Sequence, residues 1–377
     1  MCHVRLDVPR SGDYCEKGGS PLRMMMKGNE AIGEAAVRAG CRYFFGYPIT
    51  PQNELPEYLS YRLPEAGGVY LQAESEIAAI NMVFGAAGAG ARVLTSSSGP
   101  GISLKQEGIS FLSGAELPCV IVNIMRGGPG LGGIQPGQAD YFQATRGGGH
   151  GDYRTIVLAP GSVQEMADFT YWAFELADKY RNPVLILGDG VLGQMMEPVV
   201  FPPEAKADQT NKLWATTGCR GRQPNIIKSL YLNPEELEEQ NKKLQEKFEL
   251  IMQEVNRAEK YQVEDAEIIL IAYGISARVS LAAIDAAREE GIKVGLFRPI
   301  TLWPFPEKIL LESLSKAKKL LVVEMSAGQM IEDVRLAVCG RLPVHFYGRT
   351  GGMLPSAKEI LSKIKTLGGG ASGRSIR

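Results

Sequence analysis

The chain has 377 residues, a length that predicts two or three domains with sizeable hydrophobic cores. Its 41 basic and 42 acidic residues give a formal net charge of −1, which excludes the strongly basic surface typical of nucleic-acid-binding proteins. No apolar run approaches the roughly 18 residues needed to cross a bilayer, so we expect neither nucleic acid nor membrane as a partner.

The six cysteines are scattered through the sequence without a CxxC pair. We therefore expect no metal site, zinc or iron–sulfur, within this chain. Free, scattered thiols are typical of a reducing compartment, which predicts a cytoplasmic location.

In chain order, residues 1–25 are polar and irregular and lack the apolar core of a signal peptide, so they predict a disordered leader. Residues 26–200 alternate between short apolar strands and helices, beginning with a helix over 31–39 and a strand over 42–45. This alternation with short turns predicts an α/β fold with a parallel sheet covered on both faces. Ligands of such sheets bind beyond the carboxyl ends of the strands.

The helix that follows the predicted strand at 69–71 carries an acidic residue on its apolar face. Glu76 lies on one helical stripe with Ile80, Val83 and Ala87. Near a helix N-terminus, a glutamate can simply be favoured by the helix dipole. The alternative is a functional glutamate held in a largely dry site.

Three other polar features stand at predicted strand ends and favour the functional alternative. Thr50 lies on a loop stiffened by two prolines, although it could also cap a helix. Residues 95–101 (Thr-Ser-Ser-Ser-Gly-Pro-Gly) offer hydroxyls and open backbone amides at a helix start, but lack a nucleotide-binding glycine fingerprint. Arg126 follows an apolar strand directly and precedes a long glycine-rich loop, so it is either a ligand contact or a solvent-facing arginine.

Further along the chain, Gly-Asp-Gly at 188–190 is similar to a diphosphate and Mg²⁺ motif. We interpret it as a chance match because the next candidate asparagine, Asn211, falls in a linker. Residues 201–264 predict that linker and a charged amphipathic helix over 234–261 with a docking stripe, which consists of Leu237, Leu244, Phe248, Ile251 and Val255. A second α/β unit is predicted over 265–366, followed by a disordered tail at 367–377.

Five spaced segments, at residues 46–51, 72–76, 97–101, 126–129 and 149–152, carry a family resemblance. With them, the chain resembles the α subunit of 2-oxoacid:ferredoxin oxidoreductases over nearly all of residues 27–365. The resemblance implies a pyrimidine-type thiamine diphosphate-binding domain over 26–200, followed by a transketolase C-terminal-like α/β domain over 265–366.

The resemblance also implies roles for individual residues. Glu76 matches the glutamate that activates the cofactor, and it is favoured over Glu74 because a glycine follows nine positions later. Thr50 and Arg126 match positions that contact the carboxylate of the oxoacid. In the same way, the segment Ser97, Ser98 and Gly99 is expected to bind the cofactor.

Family members share thiamine diphosphate between this subunit and a separate β subunit, which carries Mg²⁺ and an iron–sulfur cluster. The resemblance therefore implies β, γ and ferredoxin-like subunits, with coenzyme A and ferredoxin as co-substrates. Segments 135–145 and 187–198 are most similar to enzymes that oxidise the branched-chain 2-oxoacid 2-oxoisovalerate. The alternatives are 2-oxoglutarate or another 2-oxoacid as substrate, or a non-catalytic scaffold subunit.

Overall fold

A computed structural model describes residues 23–204 and 212–369 of the chain. The first half of the chain contains β1 Arg23–Lys27, α1 Gly28–Arg38, β2 Tyr43–Gly46, α2 Glu54–Glu65, β3 Val69–Gln72, α3 Glu76–Gly88, β4 Val93–Ser97, α4 Pro100–Gly114, β5 Cys119–Met125, α5 Tyr141–Arg146, β6 Ile156–Leu158, α6 Val163–Tyr180, β7 Pro183–Asp189, α7 Gly190–Gln194 and β8 Met196–Val200. The second half contains α8 Pro234–Glu254, β9 Ala258–Tyr261, β10 Ile268–Ile271, α9 Gly274–Glu289, β11 Val294–Pro299, β12 Thr301–Trp303, α10 Glu307–Glu312, β13 Lys319–Glu324, α11 Met330–Val338, β14 Val344–Gly348 and α12 Ala357–Gly368.

The larger sheet has seven strands in the order β12-β6-β7-β5-β4-β2-β3. The six strands from the first half of the chain pair in parallel, as predicted. Strands β4, β5 and β7 are buried along their whole length because helices cover both faces. The prediction of a purely parallel sheet is incomplete, because β12 comes from the second half and pairs antiparallel with β6.

The smaller sheet has five strands in the order β14-β13-β10-β11-β9. Its edge strand β9 lies where the sequence predicts the end of the charged helix. Helix α8 instead ends at Glu254, and β9 pairs antiparallel with β11. The pairing is reinforced by an ion pair between Arg298 of β11 and Glu259 of β9. The tertiary partner therefore overrides the local helical pattern.

The charged helix α8 docks on the larger sheet through most of its predicted stripe. Leu244, Phe248, Ile251 and Val255 are buried in the core on one face of that sheet. Leu237, near the start of the helix, is 41% exposed and lies outside this contact.

Residues 23–25, assigned to the leader from the sequence, belong to β1, which pairs antiparallel with β8. Leu367 and Gly368 of the predicted tail are the last residues of α12. The remaining leader residues 1–22 and tail residues 370–377 lie outside the described residues, as do linker residues 205–211. Within the described ranges, no helix is both long and apolar enough to cross a membrane.

Candidate active site

The carboxyl ends of neighbouring strands in the larger sheet bring the predicted site residues together. Strands β2, β4 and β5 lie side by side and parallel, so the segments that follow them emerge at one edge. Thr50 follows β2, Ser97 ends β4 and Arg126 follows β5. Glu76 begins α3, just after the neighbouring edge strand β3.

The carboxylate of Glu76 is buried against the start of α4. Glu76 is 6% exposed, whereas Glu74 is exposed to solvent. A Cβ added at Gly101 would lie 2.4 Å from Glu76 Oε1 and 2.1 Å from Ser97 Oγ, so only glycine leaves room here for both side chains. The structure therefore places the glutamate, the serine hydroxyl and the first turn of α4 side by side.

The apolar stripe predicted for α3 is confirmed. Ile80, Val83 and Ala87 are each no more than 1% exposed and belong to the core beneath the larger sheet. The helix begins at Glu76 because Ser75 caps it, its Oγ accepting a hydrogen bond from the Ala78 amide. Capping thus fixes the acidic residue in the first turn of a helix whose stripe faces inward.

The turn between β4 and α4 connects the glutamate to the arginine. Gly99 has a φ of 47°, a conformation that side chains rarely adopt. A Cβ at Gly99 would also lie 3.3 Å from Arg126 Nε. The backbone of this turn therefore passes closely between the Glu76 and Arg126 side chains.

Arg126 is 8% exposed and is held by backbone carbonyls. Its Nη1 donates to Thr50 O at 3.0 Å and its Nη2 donates to Leu131 O at 2.9 Å. The structure therefore joins Thr50 to Arg126 through the backbone, while the Thr50 hydroxyl accepts a hydrogen bond from Asn53 Nδ2. Arg126 is oriented within the site and is not the solvent-facing arginine that the sequence left open.

Four buried polar atoms at this edge have no hydrogen-bond partner within the described ranges: Ser97 Oγ, Ser98 Oγ, Asn123 Oδ1 and Arg126 Nε. An unpaired buried polar group costs about 1–3 kcal/mol, so such a cluster fits a polar ligand that completes these bonds. The ring nitrogens and anionic groups of thiamine diphosphate or a 2-oxoacid have the required chemistry. Ser97 and Ser98 were expected here from the sequence.

Asn123 was missed by the sequence analysis. It pairs with Ser97 across β4 and β5, and its Nδ2 donates to Asp140 Oδ2 at 3.0 Å. Burial raises the pKa of Asp140, and its bond to Asn123 and the Arg126 charge oppose that change. The only sequence signal was one polar residue inside an otherwise apolar strand.

Lys105 was also missed, although it is completely buried. Its Nζ donates to Thr95 Oγ1 at 2.6 Å and to Ser96 O at 2.9 Å. Burial lowers the pKa of the Lys105 ammonium to about 7, and the Glu76 carboxylate acts in the opposite direction. The sequence signal that could have indicated this burial is the position of Lys105, one turn after Gly101 and on the face of α4 that is directed towards α3.

The Gly-Asp-Gly segment has a structural role in this chain. Asp189 Oδ1 accepts the amides of Val191 and Leu192, and its Oδ2 accepts the amide of Ile275. The buried carboxylate therefore caps α7 and ties β7 to the start of α9. Burial raises the pKa of Asp189 to about 6.

Comparison with known proteins identifies the family. A family model described as "Pyruvate flavodoxin/ferredoxin oxidoreductase, thiamine diP-bdg" matches residues 34–267, more than half of the chain. The chain belongs to this family. A second model, "Pyruvate:ferredoxin oxidoreductase core domain II", matches residues 266–360 of this chain. The predicted family and α/β fold are confirmed, and the first match supports thiamine diphosphate as the cofactor.

Individual relatives agree with this assignment. The chain is 56% identical to ketoisovalerate oxidoreductase subunit VorB of Methanothermobacter marburgensis, over 92% of this chain and 98% of the relative. It is 37% identical to 2-oxoglutarate synthase subunit KorA of Methanothermobacter thermautotrophicus, over 90% of this chain and 97% of the relative.

A solved structure extends the comparison to the fold. The 2-oxoglutarate:ferredoxin oxidoreductase from Magnetococcus marinus, with 2-oxoglutarate, coenzyme A and succinyl-CoA bound, matches with a TM-score of 0.80 and 29% identity. The match covers 91% of this chain and 65% of that longer chain.

Proposed function

We propose that this chain is the α subunit of a complex that oxidatively decarboxylates a branched-chain 2-oxoacid, 2-oxoisovalerate. The products are an acyl-CoA and electrons that pass to ferredoxin. The single observation that carries the proposal is the buried Glu76 carboxylate beside Ser97, at the strand edge shared with Arg126. Similarity to the ketoisovalerate subunit supports the branched-chain substrate, because identity to the 2-oxoglutarate subunit is lower, 37% against 56%.

The residues of the site have distinct proposed tasks. Thiamine diphosphate, when bound, supplies the nucleophile and the electron sink for decarboxylation. Glu76 would accept a hydrogen bond from the pyrimidine ring and hold a proton there, which is favoured in a site that excludes water. Ser97, Ser98 and the open backbone at Gly99 would hold the ring in place.

The residues proposed to orient the substrate lie on the opposite side of the β4–α4 turn from Glu76. Arg126 presents an unpartnered Nε, while its two Nη atoms are fixed by backbone carbonyls. We assign to Arg126 and Thr50 the contact with the substrate carboxylate. Holding that group in place aligns the bond that breaks when CO₂ leaves.

The remaining parts of the machinery are proposed to lie on partner subunits: Mg²⁺ and an iron–sulfur cluster on β, with γ and ferredoxin-like subunits completing the complex. Large exposed apolar side chains flank the site and support docking there. They are Leu71 on edge strand β3, Ile77 on α3, Leu104 on α4, and Leu131 and Ile134 in the glycine-rich loop. Exposed apolar residues grouped in this way are typical of protein interfaces.

We also propose the division of the chain. Residues 26–200 would form the pyrimidine-binding domain and 265–366 the transketolase C-terminal-like domain, with 201–264 as linker and docking helix. The separate larger and smaller sheets support this division, although β12 crosses it to join the larger sheet.

Exchanging Glu76 for Gln in the assembled complex tests the proposal. We expect 2-oxoisovalerate-dependent reduction of ferredoxin to fall by at least about 100-fold, the scale of a lost acid–base group. Glu74→Gln is the matched control, because Glu74 is two residues away and exposed. Size-exclusion chromatography should show an intact complex for both variants. Full activity of the Glu76 variant would refute the assigned role and favour the scaffold alternative.

The second candidate substrate is 2-oxoglutarate, favoured by the match to the KorA subunits and to the solved 2-oxoglutarate enzyme. Steady-state assays of the complex with each acid separate the two. The proposal expects a higher kcat/KM for 2-oxoisovalerate. The reverse order would transfer the same chemistry to the dicarboxylate.

A further inference from the structure

The Lys105 side chain is an uncommon feature of this site because it is fully buried and, in the part of the chain that the structure describes, its hydrogen bonds go to neutral oxygens. Its two acceptors are the hydroxyl of Thr95 and the carbonyl of Ser96, both at the end of β4. A lysine is almost never fully buried without a compensating charge. The charge that opposes the effect of burial on Lys105 belongs to a carboxylate.

The packing of α3 against α4 shows which carboxylate it is. Gly101 and Gly108 lie one turn before and about one turn after Lys105 on α4, so all three share a face. A Cβ at Gly101 would meet Glu76 Oε1, and a Cβ at Gly108 would lie 2.5 Å from Ile80 Cγ2, one turn further along α3. Lys105 therefore projects from the turn of α4 between these two contacts.

Two titratable groups, Glu76 and Cys119, influence the charge of Lys105. Glu76 on α3 favours the protonated ammonium, while burial disfavours it and lowers its pKa to about 7. Cys119 on β5 is the other titratable group that acts on Lys105, and burial raises the pKa of that thiol to about 12. The thiol is therefore uncharged near neutral pH, and β4 contributes only neutral groups. Among the described residues, Glu76 is therefore the charged group that favours the ammonium form of Lys105.

We propose that Lys105 is a positioning residue for the reaction: its hydrogen bonds fix the end of β4, and its ammonium places a positive charge at the contact between α4 and the Glu76 end of α3. The proposal rests on the proposed function, because it assumes that Glu76 acts on the cofactor. By bonding to Thr95 and Ser96, Lys105 also fixes the backbone just before Ser97, whose hydroxyl adjoins the same carboxylate.

Two substitutions separate the charge from the hydrogen bonds. Lys105→Gln keeps an N–H donor but removes the charge, and Lys105→Met removes both. Because the pKa of the Lys105 ammonium is about 7, either variant should abolish the limb of the kcat/KM profile that reports this group, or move it by about one pH unit or more. The profile is measured on the assembled complex with the branched-chain substrate. A purely structural lysine would lower the rate without moving this limb.

Lys247→Met provides the matched control. Lys247 on α8 is another lysine whose pKa is lowered by burial, to about 8, and it pairs with Glu116 away from the site. Its loss should leave the pH profile unchanged. A wild-type profile in Lys105→Gln, with or without a lower rate, would overturn the proposal.

A second measurement needs no Lys105 variant and no turnover. In Glu76→Gln, the buried ammonium loses its compensating charge wherever Lys105 is protonated. The melting temperature of the variant should therefore lie further below that of the wild type at about pH 6 than at about pH 9, where the amine is neutral. Equal losses at both pH values would overturn the electrostatic coupling between Lys105 and Glu76.

The two failures are distinguishable. If Glu76→Gln keeps full activity but shows the pH-dependent melting loss, the electrostatic coupling of Lys105 to Glu76 stands and the proposed function fails. If Glu76→Gln is inactive while Lys105→Gln keeps the wild-type pH profile, the function stands and the role of Lys105 is refuted.

Discussion

At the scale of single residues, the site depends on side chains that are oriented before any ligand binds. Arg126 shows this most directly, because two backbone carbonyls hold its Nη atoms and leave Nε free. A guanidinium can satisfy two fixed acceptors and still present a third donor. An ammonium at the same position has no comparable planar geometry.

We therefore expect Arg126→Lys to lower kcat/KM for the 2-oxoacid by about 10- to 100-fold, since a hydrogen bond to a charged group contributes roughly 1.5–3 kcal/mol. Most of the change should appear in KM, because substrate orientation is the proposed task of Arg126. Initial-rate kinetics of the complex measure both constants. Arg349→Lys, at an ion pair with Glu359 in the second half of the chain, is the control. A KM that stays at the wild-type value would exclude a substrate contact.

At the scale of elements, the close approach of α3 to α4 sets the position of the glutamate. Gly101 permits it, because any side chain there would overlap Ser97 Oγ and Glu76 Oε1. Helix propensity alone would favour alanine over glycine within α4 by up to about 1 kcal/mol. The glycine is therefore explained by the neighbouring side chains and not by its own helix.

Gly101→Ala should displace the carboxylate and weaken thiamine diphosphate binding by at least about tenfold, a loss of about 1.4 kcal/mol. Titration calorimetry on the assembled complex measures the affinity. Gly85→Ala is a matched control on α3, where an added Cβ meets no atom of the described residues within 4 Å. That variant should bind the cofactor normally. If Gly101→Ala also bound it normally, the carboxylate would not depend on this contact.

At the scale of the whole molecule, Gln138 links the glycine-rich loop after Arg126 to the smaller sheet. The side chain is fully buried, and its Nε2 donates to Tyr273 O at 3.0 Å. Its Oε1 accepts bonds from Ser276 Oγ and Met325 N. The loop is thus attached to the far half of the chain at the ends of β10 and β13.

Gln138→Leu removes these side-chain bonds. The buried Met325 amide and Ser276 hydroxyl lose their acceptor, and Tyr273 O keeps only the Ala277 amide. We expect the free energy of unfolding to fall by about 2–4 kcal/mol, with a lower melting temperature by calorimetry. Gln245→Leu, which changes an exposed glutamine bonded to one carbonyl, should melt like wild type. An unchanged melting temperature in the Gln138 variant would show that other contacts hold the two sheets together.

The sequence by itself determined the alternation of strands and helices, the inward stripe of Glu76 and the polar residues at the strand ends. These features are local, because burial leaves a period of two or 3.6 residues in the apolar pattern. It also carried the family resemblance that the comparisons confirm. The roles of Thr50, Glu76, Arg126 and the Ser97–Gly99 turn remain predictions for the experiments above.

Only the tertiary structure decided which distant segments meet. It turned residues 258–261 from helix into strand, paired β1 with β8, and added β12 to the larger sheet. It also buried Lys105 against the end of β4 and gave Arg126 two carbonyl partners. A local sequence pattern indicates which side chains are buried. Hydrogen-bond and charge partners that are far apart in the chain depend instead on the free energy of the whole folded structure.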